Sequence, residues 1–336
     1  MSSDRRAFLK TLAASAAALP LSQAEETSDK LGNPLPTRPL GRTGETITAF
    51  TLGGAHVVRA ENETVSEQLI ETAIECGVRS FDNAQQYGRG QSEILYGKYL
   101  TPKYRDHIYL TTKTQAKDKA SARKELESSL RNLKTDRLDL WQIHSIVSAD
   151  DVDKRWENGV IDEFLKAREE GLVRHIGFTG HSSPAAHLHL IKRLRKEGIL
   201  FDTCLMPMNL VDPHWDSFIV QILPELLKDN YAIFAMKSLA HGNMLAAEPR
   251  NNPTPKVEGI GTIVDTGLKV VDMHRYVYSL PVCSLISGCL KPHEVKENTT
   301  NLRNYRPLGN EERDQLLARA KPFAGNTMEY YKGRPS

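Results

Sequence analysis

From residue 49 onward, short runs rich in β-branched and aromatic residues alternate with longer amphipathic stretches, eight times over. The strand candidates are Ala49–Gly53, Val78–Asp82, His107–Lys113, Leu138–His144, Arg174–Thr179, Phe201–Met206, Tyr231–Met236 and Val282–Ser287. Between them, Ser121–Leu133 places Ala122, Leu126, Leu130 and Leu133 on one helical face, and Asp162–Glu170 and Ser217–Asp229 carry the same spacing. Strands that alternate with helices join in parallel through crossovers. Eight of them have a closed solution, the (β/α)8 TIM barrel, which takes about 250 residues. An open doubly wound sheet announces itself with GxGxxG after its first strand, and Gly53-Gly54-Ala55-His56 does not supply it. The expected fold is therefore a single α/β barrel over residues 38–325. An N-terminal β-hairpin over Thr37–Thr48 closes its bottom, a surface insertion surrounds Asn251–Pro255, and 326–336 form a C-terminal tail.

In such a barrel all strand carboxyl ends meet at one rim, and chemistry happens there. Asp82, Lys113 and His144 each end a strand candidate, on three successive strands, and Tyr87 follows Asp82 in a polar, glycine-containing loop. Buried strands seldom carry Asp or Lys without a paired partner, so packing alone does not account for this series. A Tyr hydroxyl has a reference pKa near 10, and an adjacent lysine ammonium favours its phenolate and lowers that value. Asp82 can hold Lys113 charged, and His144 can orient a carbonyl oxygen. The group suits proton transfer to a carbonyl oxygen as hydride reaches the carbon.

The ends of the chain carry separate information. Residues 1–24 have a charged start (Asp4, Arg5, Arg6, Lys10), a small and apolar stretch from Thr11 to Leu21, and Ser22-Gln23-Ala24 before Glu25. This is the layout of a secretory signal cut near Ala24, and the paired arginines resemble a twin-arginine (Tat) signal, which carries folded proteins. The expectation is a periplasmic or otherwise exported protein that engages the Tat machinery. Residues 25–37 read as a linker. The 336-residue chain has a net charge of +2, of which the first 24 residues supply +2, so a basic nucleic-acid face is not expected. No apolar run is long enough to span a membrane after processing. The four cysteines lack the spacing of a metal cluster, and no metal is expected.

Several segments together resemble the aldo-keto reductase superfamily across residues 38–325. They are Arg38–Gly44, Phe81-Asp82-Asn83-Ala84-Gln85-Gln86-Tyr87-Gly88, Leu110-Thr111-Thr112-Lys113, Asp139-Leu140-Trp141-Gln142-Ile143-His144 and Gly171–Thr179. The resemblance implies that Asp82, Tyr87, Lys113 and His144 form the family's catalytic tetrad, with Tyr87 as general acid. It implies interconversion of a small carbonyl and an alcohol with NADP(H), ahead of NAD(H), lying across the barrel mouth. The cofactor contacts it implies fall on Gly54, Ala55, Asp82, Thr179, Met236, Lys237, Leu239, Ser287, Gly288, Lys291, Glu294 and Asn298. Some positions depart from the family pattern: Gly180 follows Thr179, Leu205 or Met206 stands where Gln is usual, and Leu290 replaces an arginine near the adenosine end. His56, Trp141 and Trp215 are the candidate substrate contacts at the rim. These departures leave open a second class of function, an exported dinucleotide-binding redox sensor or partner subunit with little turnover.

Overall fold

The computed structural model describes Leu21, residues 28–245 and residues 256–333. Apart from Leu21, the expected signal segment lies outside the described residues, as does the Asn251–Pro255 insertion. The chain opens with an antiparallel hairpin, β1 (Thr37–Pro39) and β2 (Thr46–Thr48). Eight parallel strands follow: β3 (Phe50–Gly53), β4 (Ser80–Asp82), β5 (Tyr109–Thr114), β6 (Leu138–Ile143), β7 (Val173–Thr179), β8 (Thr203–Pro207), β9 (Ala232–Met236) and β10 (Ser284–Ser287). Each pairs with the next, and β10 pairs with β3 through Leu285↔Phe50, which closes the barrel. All eight expected strands are present. The expected helix Ser217–Asp229 is instead two short ones, Phe218–Gln221 and Leu223–Lys228, because Pro224 has no amide hydrogen to continue the first.

Strand alternation divides the interior from the outer shell. Tyr109, Leu140, Leu205, Phe234 and Cys283 face inward and meet Leu40 and Ile47 of the hairpin, which plug the bottom. Gly41 makes that plug fit: its φ is +54°, and a Cβ there would run into the backbone of Asn230–Ala232. Arg42 then donates to the carbonyls of Phe201 and Asp229 below β8 and β9, while the buried Arg38 donates to Tyr278 O at 2.7 Å and Val282 O at 2.9 Å. The stretch expected as a linker also docks from residue 28 on, since Asp29 pairs with Arg79 at 2.7 Å and Leu35 is fully buried.

The C-terminal residues form a strap, not a solvated end. Met328, Glu329, Tyr331 and Lys332 are buried. Lys332 Nζ lies 2.8 Å from both Asp212 Oδ1 and Glu329 Oε2, and donates to Trp215 O at 2.9 Å. Asn209 donates to Glu329 Oε1 at 3.0 Å and to the Tyr331 hydroxyl at 3.1 Å. Asp212 also accepts from Phe218 N, Ile219 N and Ser217 Oγ, so its carboxylate is fully engaged. Gly333 N reaches Ser182 O at 2.7 Å, which ties the strap to the loop after β7 as well. The strap thus ties together the loops that follow β7, β8 and β9.

Candidate active site

Because Trp141 points outward on β6, its neighbours Leu140 and Gln142 point inward, and His144 continues that inward row at the rim. The same period of two aims Lys113 of β5 and Asp82 of β4 at the axis. Lys113 Nζ lies 2.6 Å from Asp82 Oδ1, donates to Asn83 O at 2.7 Å, and reaches the Tyr87 hydroxyl at 3.3 Å. Tyr87 and His144 meet edge to face with ring centroids 5.8 Å apart. The four candidate catalytic residues are therefore brought together at one rim.

Their protonation follows from burial and charge. Burial pushes the Lys113 ammonium down, but the Asp82 carboxylate and Tyr87 more than offset it, so Lys113 is held above its usual range. Burial pushes the Tyr87 hydroxyl up more strongly than Lys113 pulls it down. This corrects the expectation of a lowered value: desolvation outweighs the single cation, and Tyr87 keeps its proton at neutral pH. Burial, followed by the charge of Lys113, holds His144 well below the usual histidine range, so its imidazole is neutral. The site has a protonated donor, a cation positioned to stabilise its phenolate, and a neutral ring beside both. Nδ1 of His144 is buried with no hydrogen-bond partner among the described residues.

A groove of about 420 Å³ runs from this centre across the mouth. Ala55, Asp82, Met236, Lys237, Leu239, Ser287, Gly288, Glu294 and Asn298 line it, as does His56. Gly288 is a close-approach position, because a Cβ there would overlap the His56 ring. Gly54 supports this floor from below: its carbonyl accepts from Ser92 Oγ at 2.9 Å, and a Cβ on it would press on Asp82 O at 2.8 Å. Lys291 is exposed at the start of helix Pro292–Arg303 and does not line the groove, and Thr179 is buried at the end of β7 outside it. The groove is long, open and floored by backbone at Ser287–Gly288, so the residues present fit an extended dinucleotide.

Two substrate expectations need correcting. Trp141 is fully buried on the outer face of β6 and stacks on Phe164 at 3.8 Å and 5°. It belongs to the strand–helix layer. Trp215 packs beneath Lys332, 5.6 Å from its Nζ, in the strap network and away from the groove. Residues passed over in the sequence hold the rim loops: Tyr331, Glu329 and Lys332 join Asn209 and Asp212, and Asn243 donates to Met328 O at 2.9 Å. A run of charged and aromatic residues near a chain end has no periodicity to mark it as buried.

Comparison with known proteins agrees with this geometry. The chain is 24% identical to the uncharacterized oxidoreductase YqkF of Bacillus subtilis over 313 residues, 84% of this chain and 96% of that protein. It is 34% identical to methylglyoxal reductase DkgA of Salmonella typhimurium over 43% of this chain and 48% of that protein. Its fold superposes on the holo form of aldo-keto reductase AKR11C1 from Bacillus halodurans with a TM-score of 0.68 at 21% identity, covering 87% of this chain and 99% of that one. The pattern of the Aldo/keto reductase family matches residues 49–304, from the first barrel strand through the helix beyond the last, and the chain belongs to that family.

Proposed function

We propose that the protein is an NAD(P)-dependent oxidoreductase that interconverts a small carbonyl compound and its alcohol, with Tyr87 as general acid and base. The observation that carries this is the chain of contacts Asp82–Lys113–Tyr87, 2.6 Å and 3.3 Å long, at the inner end of the groove. The dinucleotide, when bound, supplies the hydride in reduction and accepts it in oxidation. The residues of the chain manage the proton. Tyr87 donates its hydroxyl proton to the carbonyl oxygen, and Lys113 stabilises the phenolate left behind. Asp82 keeps Lys113 charged and aimed. His144, neutral, donates a hydrogen bond that orients the carbonyl oxygen. In the oxidative direction the Tyr87 phenolate takes the alcohol proton back. A relative named as a methylglyoxal reductase supports a small carbonyl as substrate.

For the dinucleotide, we propose NAD(H) over NADP(H), the opposite of the order the resemblance alone implies. Glu294 and Glu297 line the groove together with Leu290 and His293, and the cation Lys291 does not line it. Glu294 accepts from Leu290 N at 2.6 Å and Lys291 N at 3.2 Å, which fixes its carboxylate in place. A ribose phosphate beside two carboxylates is repelled. Fluorescence titration should show NADH binding about ten-fold tighter than NADPH, on the scale of one unfavourable charge contact. Tighter NADPH binding would refute this choice.

Export by the twin-arginine route belongs to the same proposal and is supported by Arg5-Arg6 and the small apolar stretch after them. Replacing both Arg5 and Arg6 by Lys should leave the uncleaved precursor inside the cell in fractionation. Unchanged export of that variant would remove the twin-arginine assignment.

A further inference from the structure

The loop after β9 bends against the preference of its own residues. Lys237, Ala240 and His241 have φ of +57°, +46° and +62°, in the left-handed region where a Cβ crowds the neighbouring carbonyl. No other five-residue stretch among the described residues holds three non-glycine residues in that region. The same loop borders the groove, which Lys237, Ser238, Leu239, His241 and Asn243 line. Strained backbone persists only where its surroundings over-determine it, so something must hold this loop.

The loop's own bonds are few: Ala240 N donates to Lys237 O at 2.8 Å, and Gly242 N and Met244 N donate to Leu239 O at 2.9 Å and 3.3 Å. The other ties run to the strap. Tyr330, 89 positions further along the chain, shares a hydrogen bond with His241 Nδ1, and the two rings meet edge to face with centroids 5.7 Å apart. Asn243 Nδ2 donates to Met328 O at 2.9 Å and to Thr327 O at 3.3 Å. Lys237 Nζ lies over the Tyr331 ring, 5.7 Å from its centroid. Asn209 joins both segments, since its Nδ2 lies 3.2 Å from Lys237 O, 3.0 Å from Glu329 Oε1 and 3.1 Å from the Tyr331 hydroxyl. The strap is anchored apart from this loop, by Lys332 on Asp212 and by Gly333 N on Ser182 O. It is a fixed support against which the loop is bent.

We infer that the strap is a positioning element for the dinucleotide, with Tyr330 acting through His241 to hold the loop after β9 in the bent form that lines the groove. This rests on the reading of the groove as a dinucleotide site and adds what keeps that site in shape. Tyr330 does not itself line the groove, so its effect is carried by the loop. When the tie is cut, Lys237, Ala240 and His241 are free to relax toward negative φ, which withdraws their side of the groove from the dinucleotide. Asp82, Lys113 and Tyr87 belong to β4, β5 and the loop after β4, and keep their mutual geometry.

The test uses the full chain loaded with NADH, or with NADPH if that binds tighter. It reads dinucleotide dissociation by stopped-flow fluorescence, and amide hydrogen exchange in the loop and in the barrel strands. Tyr330 is half-buried, and Tyr330→Phe removes the hydroxyl while keeping the ring. In that variant the dinucleotide should leave about five-fold faster and the Gly242 and Met244 amides should exchange about five-fold faster, the scale of one hydrogen bond, while the strands exchange as before. Ala240→Gly supplies the second arm, because glycine adopts φ near +46° without the Cβ penalty. Added to Tyr330→Phe, it should bring dissociation back to within about two-fold of the parent, a rescue that general loss of stability does not predict. Unchanged dissociation in Tyr330→Phe, no rescue by Ala240→Gly, or exchange that rises equally in the strands each overturns the positioning role and leaves the dinucleotide reading standing. Failure of the parent chain to bind either NADH or NADPH overturns both.

Discussion

Tyr87→Phe should lower kcat by about 10²–10⁴, the usual worth of a positioned general acid, while changing dinucleotide affinity by less than about two-fold. The substitution removes one oxygen and leaves the ring, so the edge-to-face contact with His144 survives. What is lost is the hydroxyl 3.3 Å from Lys113 Nζ, on a residue that lines the groove. The pH dependence separates this role from a merely structural one. Because burial holds the Tyr87 hydroxyl above its ordinary value, the donor form persists through neutral pH and into the alkaline range. Reduction should therefore be flat across neutrality and fall only once Tyr87 ionises, with no acid limb from His144, whose ring is already neutral. Stopped-flow single turnovers on the purified protein give both numbers. Turnover within a factor of about three of the parent would take Tyr87 out of the proton step, since general acids contribute far more than that.

The second large effect is on stability. Lys332→Met should cost about 3–5 kcal/mol, because it leaves the Asp212 and Glu329 carboxylates buried without their shared cation. Burial and the neighbouring Asp212 push the Glu329 carboxyl up even with Lys332 present, so removing the ammonium drives protonation further. The loss should appear as a fall of roughly 5–10 °C in the thermal midpoint at neutral pH. Adding Glu329→Gln in the Lys332→Met background removes one of the stranded charges and should recover part of the loss. Calorimetry of the three proteins checks this. A midpoint in Lys332→Met within about one degree of the parent would mean that the strap does not contribute to global stability.

The barrel was legible in the sequence because its signal is repeated: eight strand–helix units, each too short to be anything but a crossover, leave few topologies. Three of the four residues proposed to react could be picked out for a related reason, since Asp82, Lys113 and His144 each fall at the carboxyl end of one of three successive strands. The Trp141 indole was misplaced by a single residue of phase. Trp141 sits between the inward Leu140 and Gln142, so pleating sends it to the helix layer, and a loop reading ignores that alternation. The lowered Tyr87 value failed on magnitude. A sequence shows that a lysine is near, but not how much water the fold removes. The strap left almost no trace, because Glu329 and Lys332 look like surface residues until Asp212, more than a hundred positions earlier, is seen to meet them.

The strap also couples rim loops that lie far apart in the chain. Lys332 meets Asp212 and the Trp215 carbonyl after β8, Gly333 meets Ser182 after β7, and Asn243 after β9 meets Met328. One segment is thus a clasp shared by three loops, and a change in any one of them is passed to the other two through it rather than through the barrel.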